Sequence, residues 1–324
     1  MATTQRTSAA PAATAAAVAV PRAPPVADSS SAHYKGFVAG VFSGIAKLSV
    51  GHPFDTIKVR MQTTSADRFP GPLACLVQTV RHEGVRALYK GASPPLVGWM
   101  FMDSVMLGAA PVAGVGATTN PATGQPVRAL PAYAHGVAGM LAGATVSFIA
   151  APVEHVKARL QVQYAARKAD RLYQGPVDCA TKLYRTHGLR HGLYHGLGAT
   201  LLFRSFFFFW WGSYDVFSRL FRQHAPQMPT SLVNFWAGGL SAQVFWLVAY
   251  PSDVVKQRIM TDPLGGRLQD GTPRFPRWRD AARAVYQEGG ARGFFRGFMP
   301  SFLRAFPANA MALVAFEAVM RTLP

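Results

Sequence analysis

Two stretches of the chain, residues 129–153 and 225–252, contain no Asp, Glu, Lys or Arg. Each is longer than the roughly 20 residues that an α-helix needs to cross a hydrocarbon core. Both end on the same phrase, "APVEHVKARLQ" at 151–161 and "YPSDVVKQRIM" at 250–260, and a third copy, "HPFDTIKVRMQ" at 52–62, closes another apolar stretch. The three prolines, Pro53, Pro152 and Pro251, lie 99 residues apart. Upstream, Gly40, Gly139 and Gly238 keep that spacing, as do Gly44, Gly143 and Ala242. Small residues four apart let helices pack closely in a membrane. Each proline is expected to end or kink its helix, because it lacks an N–H and clashes with the carbonyl four residues back.

A second phrase recurs downstream: "EGVRALYKG" (83–91), "HGLRHGLYHG" (187–196) and "EGGARGFFRG" (288–297), each leading into an apolar stretch. One unit of about 100 residues therefore reads as long helix, basic loop with a short amphipathic helix, and second long helix. The expected fold is an all-α membrane protein: six transmembrane helices in three pseudo-threefold repeats, with both termini on one side. The expected boundaries are a tail at 1–32, then repeats at 33–131, 132–229 and 230–324. The tail is rich in Ala, Pro, Thr and Ser without periodicity and reads as disordered.

The repeated acid and base admit two pairings. Within one helix, Asp55 and Lys58 sit i, i+3, a contact worth only tenths of a kcal/mol. Around a threefold axis each acid instead reaches the next copy's base, as Asp55–Lys157, Glu154–Lys256 and Asp253–Lys58. Charges beside a water-filled cavity in a membrane are costly unless paired. The second scheme gives a ring of ion pairs closing one end of a central pore.

Composition narrows the class. Half the residues are hydrophobic, only 15% are charged, and the formal net charge is +18. Of the 33 Lys and Arg, 23 fall in the segments 58–90, 157–190 and 256–296. Basic residues gathered in alternate loops mark one side of a membrane, not the continuous basic face of a nucleic-acid binder. Cys75 and Cys179 occupy equivalent places, in "GPLAC" and "GPVDC", with no metal-ligand spacing around them. No nucleophile elbow, metal cluster or phosphate loop suggests an enzyme, a metal or a cofactor.

Pro-x-[Asp/Glu]-x-x-[Lys/Arg] in triplicate, with the Gly-…-[aromatic]-[Lys/Arg]-Gly phrase, resembles the mitochondrial carrier family over residues 33–323. The phrases around Pro53 and Pro152, Trp246 before "AYPSDVVK" and "RAFPANA" resemble its carnitine/acylcarnitine and basic amino-acid branch. The resemblance implies a monomeric transporter of the inner mitochondrial membrane working by alternating access. The basic loops and short helices would face the matrix and both termini the intermembrane space. It implies that the three ion pairs form a matrix gate. Gln62 and Gln161 would be the glutamine braces beneath it, with Met260 in the third place. On the cytosolic side the family pattern [Phe/Tyr]-[Asp/Glu]-x-x-[Lys/Arg] survives only in part. "YDVFSR" and "FEAVMR" carry their bases, Arg219 and Arg321, one position late, and the second helix offers no pair. A weak cytosolic gate with Asp215 and Glu317 is expected.

Arg204 and Arg304 lie within apolar, aromatic-rich stretches, where an arginine is functional by default. A guanidinium fork suits carboxylates, and in the resembling family these places contact substrate. The equivalent of Arg304 in the second helix is Gly98, with Asp103 further along. If Asp103 is free, the site suits a zwitterion such as carnitine, an acylcarnitine or an amino acid. If Lys47 neutralises it, a di- or tricarboxylate fits better. A proton-conducting uncoupler is the reading from another class. "FFFFWW" (206–211) reads as lipid-facing and packing surface. Lys90–Gly91, Gly196 and Arg296–Gly297, at helix starts on the matrix side, are candidate cardiolipin contacts. His195 replaces the base in the second copy.

Overall fold

A computed structural model describes residues 29–64, 67–96, 98, 131–165, 167, 169–262, 264, 275 and 277–322. The tail through residue 28 and most of the second expected spanning helix, including Asp103, lie outside the described residues. Within them the protein is helical, with no strand. The helices are α1 (Ser29–Thr63), α2 (Pro72–Glu83), α3 (Ala132–Gln161), α4 (Pro176–Gly188), α5 (Leu197–Ser205), α6 (Phe207–His224), α7 (Thr230–Thr261), α8 (Trp278–Gly293) and α9 (Phe298–Thr322). Two of them, over Ala132–Gln161 and Leu232–Thr261, are long and apolar enough to cross a membrane, with mean hydropathies of 1.7 and 1.4.

The motif prolines do not end their helices, so of the two expected outcomes the ending is excluded. Pro53, Pro152 and Pro251 lie inside α1, α3 and α7. Each helix runs on for two turns or more, carrying the acid, the base and the glutamine position. A proline inside a helix leaves the carbonyl four residues earlier without its N–H partner. In the first two repeats a tyrosine fills that vacancy. Tyr89 donates to the Ser49 carbonyl at 3.0 Å, and Tyr194 donates to the Phe148 carbonyl at 3.0 Å. Both tyrosines come from the aromatic-base-glycine phrase, so the two halves of each repeated motif are joined at the proline. Phe295 holds the third place and has no hydroxyl to offer. Replacing both tyrosines by phenylalanine should cost about 1 kcal/mol per lost hydrogen bond, additively because the sites lie in separate repeats. Thermal unfolding of the single and double variants in detergent measures it.

The three long helices meet one another pairwise, α1 packs along α9, and α3 packs along α5 and α6, which in turn pack on α7. Small residues set the α3 contact: a Cβ on Gly139 would fall 2.0 Å from the Trp211 ring, and one on Gly136 2.7 Å from Phe208. At Gly44 and Gly238 a Cβ would meet nothing within 4 Å. Among the described residues, the expected close packing is seen at α3. Part of the "FFFFWW" stripe is thereby internal: Phe207 is buried and packs with Phe203 and Phe245.

Beneath the long helices, α2 and α4 dock through the two cysteines. Cys75 sits with Ile57, Met61 and Leu88, and Cys179 with Val156, Leu160 and Leu183. Both thiols are fully buried, so they serve as small core residues. Gly91 and Gly297 adopt φ of +78° and +79° as the chain turns into the next apolar stretch. A Cβ there would press on the backbone carbonyls of Lys157 and Lys58 respectively, one repeat further on. Glycine is needed twice over at each, for the left-handed turn and for the close approach.

Candidate functional site

The motif residues converge where α1, α3 and α7 come together. Lys157 Nζ lies 2.7 Å from Asp55 Oδ2, Lys256 Nζ 2.9 Å from Glu154 Oε2, and Lys58 Nζ 2.7 Å from Asp253 Oδ2. Each acid meets the base of the next repeat, and the third pair closes the circle. Lys256 also approaches Asp253 in its own helix at 3.1 Å. All six side chains are at least three-quarters buried. Charges so placed persist because each has a partner.

Two further cations join this ring. Arg304, from α9, bonds Asp55 Oδ1, and Arg204, from the end of α5, bonds Glu154 Oε1 at 2.7 Å. The residues expected to meet substrate are thus held by two of the ring acids. In the second apolar stretch no room exists for a third arginine: a Cβ on Gly98 would lie 2.7 Å from Val153. Lys47 is half-buried on α1.

One of the two glutamines differs from expectation. Gln62 donates to Asp253 Oδ2 at 3.2 Å, beneath the Lys58–Asp253 pair. Gln161 turns instead to the Thr56 hydroxyl at 3.2 Å, which itself donates to the Leu88 carbonyl at 2.7 Å. A neutral hydroxyl beside Asp55 thus takes the amide that would otherwise reach the ion pair. Met260 is fully buried against Gly196, so the third place is filled by packing.

Sequence reasoning passed over a second ring, two residues below the first. Arg60 Nε donates to the Gln161 carbonyl at 3.1 Å, Arg159 Nη2 to the Asp262 carbonyl at 2.5 Å, and Arg258 Nε to the Gln62 carbonyl at 2.8 Å. Each arginine takes a carbonyl at the C-terminal end of the neighbouring long helix, where carbonyls lack intrahelical partners. The signal was present in "KVR", "KAR" and "KQR", which keep the spacing of 99 residues. Arg60 also grips Glu83, and Arg258 grips Glu288 through both oxygens at 2.8 and 2.6 Å. Burial raises the affinity of Glu83 for its proton, but hydrogen bonds from Arg60 and Lys90 outweigh it and hold the carboxyl below the usual range. In the second repeat His187 stands at the glutamate's place, and Arg159 bonds His155 at 2.9 Å.

The bases of the aromatic-base-glycine phrase turn inward. Lys90 Nζ bonds Glu83 and donates to the carbonyls of Gln163 and Ala165 at 2.6 and 3.1 Å. Arg296 donates to the carbonyls of Thr64 and Phe69 at 2.7 and 2.9 Å. Each ties its repeat to the next, so these charges are inter-repeat clamps. His195 has its pKa lowered to about 4 by burial and the nearby Arg159, which leaves the second copy uncharged at neutral pH.

Asp215 pairs with Arg219 within α6 at 2.8 Å, and His135 of α3 lies 3.7 Å away. A tight turn at Phe206 separates α5 from α6. This break in helical register accompanies the one-residue lag of Arg219. The Glu317 side chain lies outside the described residues.

Above the ring is a cavity of about 230 Å³, walled by Phe203, Phe207, Trp210 and Trp246 and floored by the ring charges with Arg204 and Arg304. No group of three or more His, Cys, Asp or Glu among the described residues could hold a metal ion.

The family model for mitochondrial carrier proteins matches residues 29–111, 128–225 and 227–324. Mitochondrial substrate carrier family protein L of Dictyostelium discoideum is 40% identical over 291 residues, covering 90% of this chain and 96% of that protein. A mitochondrial basic amino acids transporter of Bos taurus is 36% identical over 289 residues, 88% of this chain and 90% of its own. Carrier protein YMC2 of Saccharomyces cerevisiae is 35% identical over 317 residues, 91% and 90% of the two chains.

Proposed function

The chain belongs to the mitochondrial carrier family, and from that premise we propose that it spans the inner mitochondrial membrane with six helices and exchanges a small zwitterionic carboxylate by alternating access. The ring of Asp55–Lys157, Glu154–Lys256 and Asp253–Lys58 is the gate on the matrix side, closed here, with Gln62 bracing one pair. The termini face the intermembrane space, and Asp215 and Glu317 form the weaker gate there. The carrier works as a monomer, since one chain supplies all three pairs.

One observation carries the substrate reading: Arg204 and Arg304 line the cavity beside the gate acids, each bonded to one. A carboxylate entering the cavity competes with Glu154 and Asp55 for these guanidinium forks. Binding energy is thereby converted into loosening of the ring, which is what an exchanger requires: the gate opens when a substrate is there to cross. The basic amino acids transporters among the relatives favour an amino acid over carnitine. Two arginines also suit a di- or tricarboxylate, the second reading. Asp103, outside the described residues, supplies a further anion for a zwitterion unless Lys47 neutralises it.

For cardiolipin, the inward engagement of Lys90 and Arg296 revises the expected contact. The helix starts at Gly91, Gly196 and Gly297 remain the phosphate seats, through backbone N–H groups and the positive end of the helix, with the basic side chains joining repeats.

Counter-exchange in liposomes tests the function. Labelled arginine, lysine, carnitine, malate, citrate and ADP are offered to the purified protein. Saturable exchange of arginine, lysine or carnitine is the expected result. Exchange confined to malate or citrate would replace the zwitterion by the second reading. Proton leak with no exchange would replace the carrier by an uncoupler.

A further inference from the structure

A proline inside a helix leaves one carbonyl open, and the three repeats treat that carbonyl unequally. Tyr89 covers Ser49 in α1, and Tyr194 covers Phe148 in α3. The corresponding carbonyl in α7 belongs to Leu247, four residues before Pro251, and Phe295 stands where the tyrosine would be. The phenyl ring takes the tyrosine's seat. Tyr89 stacks on His52 with centroids 6.3 Å apart and planes 18° from parallel, and Phe295 stacks on Tyr250 at 6.2 Å and 10°. His52 and Tyr250 are equivalent residues, each directly before its proline. Tyr89 and Phe295 are also alike in exposure, at 44% and 41%. Only the hydroxyl is missing.

A second tie between each long helix and its phrase differs as well. His52 Nε2 lies 3.1 Å from the Lys90 carbonyl oxygen, and Tyr250 donates to the Arg296 carbonyl at 3.2 Å. Ala151 stands at that place in the second repeat and has no polar side chain. α1 thus has a hydroxyl on its open carbonyl and a second tie, α3 has the hydroxyl alone, and α7 has the second tie alone. The acid on α7 is also set apart. Asp55 and Glu154 each hold a cavity arginine besides a lysine, while Asp253 holds Lys58, Lys256 and Gln62.

We propose that the bend at Pro251 is the hinge of the matrix gate, and that α7 is the long helix that yields first when the ring opens. This rests on the gate reading above. Bending concentrates where the ladder of helical hydrogen bonds is interrupted, and a hydroxyl on the open carbonyl stiffens two of the three interruptions. α7 supplies both Asp253 and Lys256, so its movement releases the pairs with Lys58 and Glu154 together and leaves Asp55–Lys157 until last.

Hydrogen–deuterium exchange of the full-length protein in lipid nanodiscs tests the hinge, since local opening sets amide exchange. The amides of 54–56, 153–155 and 252–254 bond across the three prolines. Those of α7 are expected to exchange about fivefold faster than the other two sets, the factor for one hydrogen bond. Phe295→Tyr supplies the hydroxyl and should bring α7 to the level of α3. It should also lower the maximal rate of labelled arginine exchange in liposomes about fivefold, with half-saturation within about twofold of the wild type. Tyr194→Phe should loosen 153–155, and Tyr89→Phe should loosen 54–56 less, because the His52 tie remains. Equal amide exchange at the three prolines, or α7 amides unmoved by Phe295→Tyr, overturns the hinge and leaves the gate reading standing. A maximal rate unmoved while the α7 amides slow overturns the part of this bend in gating. A wild-type protein that exchanges no solute at all overturns the gate reading itself.

Discussion

Asp55→Ala is expected to abolish exchange and to destabilise the carrier by ~3–5 kcal/mol, the usual cost of removing one partner from a buried ion pair. Two cations lose their counter-charge at once, because Lys157 and Arg304 both bond this carboxylate. Asp55→Asn keeps the volume and removes only the charge, so most of the loss should remain. The contrast is Asp215→Ala on the other side. Asp215 pairs within its own helix to Arg219, whose side chain is 45% exposed. Asp215 itself is 17% exposed and also faces His135 at 3.7 Å, so its loss should cost up to about 1 kcal/mol, with exchange staying within a few-fold of the wild-type rate. Initial rates in liposomes, with thermal unfolding in detergent, read both effects. Equal damage from the two alanine variants would mean that the two sides carry gates of similar strength, against the asymmetry proposed for them.

The ring was legible before any coordinates because its elements recur. Three prolines at equal spacing bring three acids and three lysines to one level, where pairing between repeats joins all six into one ring, worth more than three separate i, i+3 contacts. Repetition also held information that went unread: Arg60, Arg159 and Arg258 keep the same spacing, but an arginine in a basic loop reads as a membrane-side charge until its carbonyl partner is seen. Other features could not be read from one strand of sequence. That the carbonyls freed by Pro53 and Pro152 find partners depends on hydroxyls about 40 residues away, at Tyr89 and Tyr194. That Gln161 takes the Thr56 hydroxyl, 3.2 Å away, in place of the ion pair is a choice between partners at one level. Periodicity gives the level of a residue in the bundle. It does not say which of two partners at that level a side chain takes, and so it misplaced Lys90 and Arg296 toward lipid when carbonyls of the next repeat were in reach.

Arg304→Ala should raise the half-saturation concentration for arginine or lysine by about 10–100-fold, the loss of a charge-assisted hydrogen bond worth about 1.5–3 kcal/mol. Arg304→Lys should recover only part of it, because an ammonium cannot present the planar fork that a carboxylate accepts. The maximal rate should fall less than the affinity. Removing Arg304 weakens substrate binding, but it also frees Asp55 from one of its two cations, so the closed ring is easier to open. The comparison with Arg204→Ala then separates the two substrate readings. A zwitterion has one carboxylate and needs one fork, so one of the two alanine variants should be several-fold milder than the other. A dicarboxylate needs both forks, and the two variants should then be equally severe. Half-saturation constants of the two alanine variants, measured with the same labelled substrate, decide between them. Equal losses would move the second carboxylate onto Arg204 and remove the cation from the cavity.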